Sequence, residues 1–180
     1  KETAMIFGKK QEKSIRNIRV SILTNEYLVE GLDDSDSSAL SASFDAEVED
    51  PAGGCLILKD THVRSMGNIH TPARTFPEWH IPSLTNVVAM FSDDPAAEDI
   101  LLEVWEDHQT PHKVIIYSGV YVIEGTIYSE EEAPPDFMLH AFAPIENLKI
   151  TNQVDKKAEP IHAKWGVVNS TMMQGYGVEK

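Results

Sequence analysis

The chain has a single cysteine, Cys55, so no intramolecular disulfide can form, and a metal site built from several thiolates is excluded. That economy of thiols fits a reducing compartment, and a cytoplasmic protein is expected. No apolar run approaches the roughly 20 residues that a membrane span requires, so no membrane partner is expected. There is no Gly-rich phosphate loop. The N-terminus lacks the apolar core of a signal peptide, because Lys9, Lys10, Glu12 and Lys13 follow Phe7 closely. The first residue is Lys1, which leaves open whether a targeting segment preceded it.

Basic charge is also scarce outside the N-terminus. The formal net charge is −14 over 180 residues. Residues 1–19 hold Lys1, Lys9, Lys10, Lys13, Arg16 and Arg19 against Glu2 and Glu12, so the rest of the chain is more acidic than the total suggests. A body of that sign repels phosphate backbones and anionic lipid. Cys55 opens the run CLILKD and reads as a small strand residue; no activating base is evident for a nucleophile.

What the sequence does contain is a repeat. Residues 19–31 (RVSILTNEYLVEG) align without gaps with residues 113–125 (KVIIYSGVYVIEG). Val20/Val114, Ile22/Ile116, Tyr27/Tyr121, Glu30/Glu124 and Gly31/Gly125 are identical. Each segment reads as strand, tight turn and strand, with the turns at Thr24-Asn25 and Ser118-Gly119. Gly31 and Gly125 mark a bulge or sharp bend. The match continues more weakly from residues 56–63 to 143–150, then from 84–91 to 167–174. Tyr27, Gly31, Tyr121 and Gly125 are the expected barrel-forming residues.

Each copy then holds several short strands, enough for a small closed or partly open barrel. The acidic stretch 32–50 reads as a loop insertion, with 128–136 as its counterpart. Residues 67–83 are punctuated by proline and read as irregular, with Phe76 and Trp79 anchoring them on the barrel. Between the copies a helix is expected: Ser92, Asp93 and Asp94 supply caps, Pro95 suits the first turn, and Ile100, Leu101, Val104 and Trp105 share one apolar face. Residues 9–17 are a weaker helix candidate.

A helix followed by a strongly bent barrel whose second strand ends in Gly resembles the Sm-like small-barrel fold. VYVIEGTI and EYLVEGL resemble its first motif, and the two-copy pattern resembles a bacterial Sm-like domain family of unknown function. The resemblance implies ring assembly and binding of single-stranded RNA through an Asp and Asn after the Gly and a basic-Gly pair in the later strand. This chain departs from that pattern. Asp136 and His140 stand at the pocket spacing in copy two, with His in place of Asn, copy one has no such Asn, and neither later strand carries the basic-Gly pair. Base-reading and phosphate contacts are thereby removed.

Other constellations are weak. His108 and His112 are four apart with Glu103 and Asp107 nearby, but Pro111 interrupts the spacing, and a helix end facing solvent is expected. Residues 33–38 (DDSDSS) lack the Gly and terminal Glu of a calcium loop. Asp93-Asp94, Glu130-Glu131-Glu132 and Glu146 are placed in or beside polar loops. Residues 172–177 (MMQGYG) read as a flexible tail able to cap the last strand or to add to a neighbour's sheet.

The expected architecture is mainly β: two tandem small SH3/Sm-like barrels with a short connecting helix. The boundaries are a basic arm at 1–18, copy one at 19–91, the helix at 92–112 and copy two at 113–180. The expected function is non-enzymatic, a protein-binding scaffold module that forms a homo-oligomer or joins a larger assembly. No catalytic, metal or cofactor residue is assigned. Partner contacts are expected at Ile100, Leu101, Val104, Trp105, Phe76 and Trp79. One alternative is a single-stranded nucleic-acid binder using the basic arm with Tyr117, Trp165 and Tyr176; another is a metal-dependent enzyme centred on His108.

Overall fold

Alternating apolar residues drive the two matched segments into hairpins. In the first, Val20 and Ile22 are buried while Arg19 between Ile18 and Val20 is exposed, the two-residue period of a strand with one face on a core. The computed structural model describes residues 18–33, 56–66, 72–95, 97, 110–129 and 141–179. Ten strands form one open antiparallel sheet: β1 (Ile18–Thr24), β2 (Tyr27–Asp33), β3 (Leu56–Ser65), β4 (Arg74–Ile81), β5 (Val87–Ser92), β6 (Thr110–Ser118), β7 (Tyr121–Ser129), β8 (Phe142–Asn152), β9 (Ile161–Asn169) and β10 (Gly175–Val178). The strand order is β10-β6-β7-β8-β9-β5-β1-β2-β3-β4.

That order is the same in both halves of the chain. In each, the fifth strand lies beside the first, and the second, third and fourth follow; β9 then joins β5. The bulges also coincide. Pairing of β2 with β3 skips from Glu30 to Leu32, and pairing of β7 with β8 skips from Glu124 to Thr126. Asp60 and Asn147 face the skipped glycines and carry positive φ, 48° and 54°, the left-handed conformation that Asp and Asn tolerate best among non-glycine residues. A Cβ on Gly31 would lie 2.8 Å from Thr61 Cγ2, and one on Gly125 would lie 2.6 Å from Ile145 Cγ1. Both glycines are therefore needed where the third strand crosses close by.

Two clusters of buried side chains lie against the sheet, and each draws on both halves. One gathers Ile18, Val20, Ile22, Val29, Leu56 and Leu58 with Phe142, Trp165 and Val167. The other gathers Val114, Ile116, Tyr121, Ile123 and Ile145 with Leu23, Leu28, Val88 and Phe91. The apolar residues of β5 and β9 thus serve both cores.

Several local expectations change. The two-residue turns are Asn25-Glu26 and Gly119-Val120, one residue later than expected. Thr24 Oγ1 accepts from the Glu26 and Tyr27 amides at 3.2 and 3.0 Å and donates to the Tyr27 carbonyl at 3.1 Å, which fixes Thr24 as the last strand residue. Of the two turns only Gly119 has positive φ (58°); Asn25 does not. Residues 74–81, expected to be irregular, form β4. Pro77 is tolerated there because β4 ends the sheet. The Gly-Tyr-Gly of the expected tail lies in β10.

The third sequence match is also displaced. The short 3₁₀ turns at Leu84–Asn86 and Ser170–Met172 correspond to each other, capped by Ser83 and Asn169, so residues 84–91 match the segment from Ser170 onward, not 167–174. Pro95 and Ala97 have helical backbone, and the Ala97 amide donates to the Asp94 carbonyl at 2.9 Å. The rest of the expected helix, including Ile100, Leu101, Val104 and Trp105, lies outside the described residues. So do the helix candidate at 9–17, Cys55, Asp136, His140, His108, Glu130 to Glu132 and most of the two acidic loops. β6 already begins at Thr110, inside the span expected for the connecting helix.

Candidate interaction edges

A strand at the end of a sheet offers backbone donors and acceptors to a second chain. Among the described residues, β4 and β10 each have one hydrogen-bonded neighbour, β3 and β6 respectively. Each contains residues that suit an edge for a different reason. β4 carries Pro77 and the polar pair Glu78 and His80, whose Oε2 and Nε2 lie 3.5 Å apart. β10 is Gly175-Tyr176-Gly177-Val178 and is exposed along most of its length.

β4 also brings together Phe76 and Trp79, both expected as partner residues. Their ring centroids are 5.2 Å apart, and Trp79 also meets Tyr27 edge-on at 5.6 Å. Burial is the main cause raising the Tyr27 phenol above its usual range, with the Trp79 contact working the other way and Glu26 adding to the rise. Phe76 and Trp79 are half-buried; Trp79 packs against the first core, and Phe76 lies against Trp79. Beside them, Ile57 of β3 stands opposite His80 and is 43% exposed. Across the molecule Tyr176 of β10 is 46% exposed, as is Tyr117 of β6. Trp165, expected to be an exposed aromatic, is instead buried, with Lys164 Nζ 4.7 Å from its ring centroid.

The interior of the sheet shows how such edges mate in this chain. β5 and β9 pair in the register Ala89↔Val168, Met90↔Val167, Phe91↔Gly166 and Ser92↔Trp165. Asn169 secures the seam: its Nδ2 donates to the Val87 carbonyl at 2.9 Å and to the Leu84 carbonyl at 3.3 Å. The hairpin tips touch as well. Tyr121 Oη donates to the Thr24 carbonyl at 3.3 Å.

Other expected polar sites are placed differently from their sequence reading. His112 lies in β6, not at a solvent-facing helix end; it is buried, and its Nε2 is 2.8 Å from Ser129 Oγ. Glu146 lies in β8 and accepts from Tyr128 Oη at 2.6 Å. A shallow, open depression is lined by Asp93, Asn147, His162 and Lys164, where the Lys164 amide donates to Asp93 Oδ1 at 2.8 Å. Among the described residues no group of three or more His, Cys, Asp or Glu stands ready to hold a metal ion, and no helix is long and apolar enough to cross a membrane. Sequence reasoning missed Ile57 and His80, while Tyr176 was singled out as an exposed aromatic and as part of a segment able to join a neighbour's sheet. The glycines on either side of Tyr176 carried that reading, since they weaken a strand's own packing and point to a neighbour.

These features define a class, an open antiparallel β protein with two terminal strands at its rims. No family model, no curated protein and no solved structure matches the chain.

Proposed function

We propose that this protein is a non-enzymatic assembly module made of two fused small barrels of Sm-like type, which self-associates head to tail through β4 and β10. One observation carries the reading. β9 and β4 hold the same place in their halves, as do β5 and β10, and β9 already pairs with β5 inside the chain. An intermolecular pairing of β4 with β10 repeats a contact this sequence is built to make. The matched bulges at Gly31 and Gly125 and the strand order shared by the two halves support the two-barrel description. Such a contact joins unlike surfaces, so it continues until a ring closes or a filament grows. Strand addition of this kind draws its affinity from main-chain hydrogen bonds.

Light scattering on the purified full chain across a range of concentrations tests the reading. Masses at multiples of 20.1 kDa are expected. A monomer at every concentration would sink it.

A further inference from the structure

Resting on that self-association, we infer that the seam between copies is keyed by a reversed large–small pair, Trp79 on β4 of one copy against Gly177 on β10 of the next. The equivalences follow from pairing. Leu58 faces Trp79 as Ile145 faces Gly166, and Leu58 and Ile145 stand at the same distance before their bulge residues Asp60 and Asn147. Trp79 and Gly166 are therefore equivalent. Ser21 faces Phe91 as Ile115 faces Gly177, and Ser21 and Ile115 occupy matching positions of the aligned hairpins. Phe91 and Gly177 are therefore equivalent too.

Inside the chain, Phe91 and Gly166 face each other. A Cβ on Gly166 would lie 2.9 Å from Phe91 Cβ and 2.7 Å from the Met90 carbonyl oxygen, so the glycine makes room for the close approach of β5. At the rims the same two positions are occupied with the sizes exchanged: the aromatic is on β4 and the glycine on β10. Gly177 is not required by its own chain, because a Cβ there meets nothing within 4 Å and its φ is not in the left-handed region. A glycine that its own fold does not demand fits a position where another chain's indole must lie close.

The next row agrees. The internal register places Tyr176 opposite His80, as Met90 stands opposite Val167, with Ile57 behind His80. Met90 and Val167 are fully buried, whereas Tyr176 on β10 and Ile57 on β3, beside β4, are exposed. Docking in this register brings both exposed apolar side chains into one row, on either side of His80. Pairing two β4 rims would instead set Trp79 against bulky neighbours, and pairing two β10 rims would leave glycine against glycine, so the key also selects the head-to-tail arrangement.

The test compares self-association of the intact chain with Gly177→Phe, Trp79→Gly and the double variant Trp79→Gly/Gly177→Phe, whose seam copies the internal Phe91–Gly166 pair. Circular dichroism checks that each remains folded. Gly177→Phe is expected to weaken association roughly ten- to a hundred-fold, and the double variant to recover most of that loss. Register is read separately by oxidising a Cys55→Ser background carrying His80→Cys and Tyr176→Cys. Intermolecular disulfides are expected, and Glu78→Cys with Tyr176→Cys should form few. If the parent chain assembles while Gly177→Phe assembles equally well, or the shifted cysteine pair cross-links as readily, the key is wrong and the assembly reading survives. A parent chain that never assembles removes both.

Discussion

Gly31 and Gly125 show at single-residue scale why the two hairpins bend alike. The third strand passes so close that a methyl group has no space: at Gly31 it would meet Thr61 Cγ2 at 2.8 Å and the Lys59 carbonyl oxygen at 3.0 Å, and at Gly125 it would meet Ile145 Cγ1 at 2.6 Å and the Glu146 carbonyl oxygen at 2.9 Å. Gly31→Ala and Gly125→Ala should each cost about 1–3 kcal/mol of stability, the range for overpacking a filled site. Urea unfolding of each variant measures it, and an unchanged midpoint would show that the strands simply move apart. Two phenols set an alkaline limit at the same scale. Burial pushes Tyr121 up to about 12, and Tyr128 is pushed up to about 12 first by its hydrogen bond to Glu146, then by burial and the carboxylate charge, from an ordinary value of 10.0. Between those values the unfolded chain releases protons that the folded chain retains, so stability is fully present below pH 10 and is lost as pH rises toward 12. Tyr121→Phe should flatten that decline, seen as urea midpoints that change less between about pH 9 and pH 11.5.

At the scale of elements, Asn169 ties β9 to the turn that leads into β5. Its side chain is fully buried; Nδ2 donates to the Leu84 and Val87 carbonyls, and Oδ1 accepts from the Thr171 amide at 3.0 Å. Asn169→Ala leaves two carbonyls and a cap without that partner, and a loss of about 2–4 kcal/mol is expected from thermal or urea unfolding. Asn169→Asp keeps the cap acceptor but buries a carboxylate against those two carbonyl oxygens, so it should cost at least as much as the alanine. The same elements show what was legible. The β1–β2 and β6–β7 hairpins could be read because one buried face imposes a two-residue alternation, and the bulge glycines because a strand crossing allows no side chain. The mainly β class followed from these. β4 was obscured because an edge strand buries little: its pattern of exposed positions and Pro77 look like loop. β10 shares almost no side chains with β5, since one lies inside the sheet and the other at its rim, and the third match slid out of register for that reason. Among the interaction residues, Phe76, Trp79 and Tyr176 were legible as aromatics in polar or glycine-rich stretches, whereas Ile57 and His80 gain meaning only when strand order places them in one row.

For the whole molecule, the two cores cannot be separated along the chain. Phe142, Trp165 and Val167 help fill the first, and Leu23, Leu28, Val88, Ala89 and Phe91 help fill the second. Burial of apolar surface is the dominant stabilising term, so losing either half strips the other of core residues, and the halves are coupled in stability although they repeat in topology. The assembly must further contend with charge. Each copy carries −14, so bringing copies together raises like-charge repulsion, while the seam itself gains from main-chain hydrogen bonds and apolar burial. Salt shortens the screening distance from roughly 30 Å at 0.01 M to about 10 Å at 0.1 M, which removes repulsion and leaves the seam's attraction largely intact. Association should therefore strengthen as salt rises, measured by sedimentation at fixed protein concentration between low and moderate sodium chloride. A chain held together by its basic N-terminal residues on a neighbour's acidic body would respond in the opposite sense and dissociate, and that outcome would move the contact from the sheet rims to the arm.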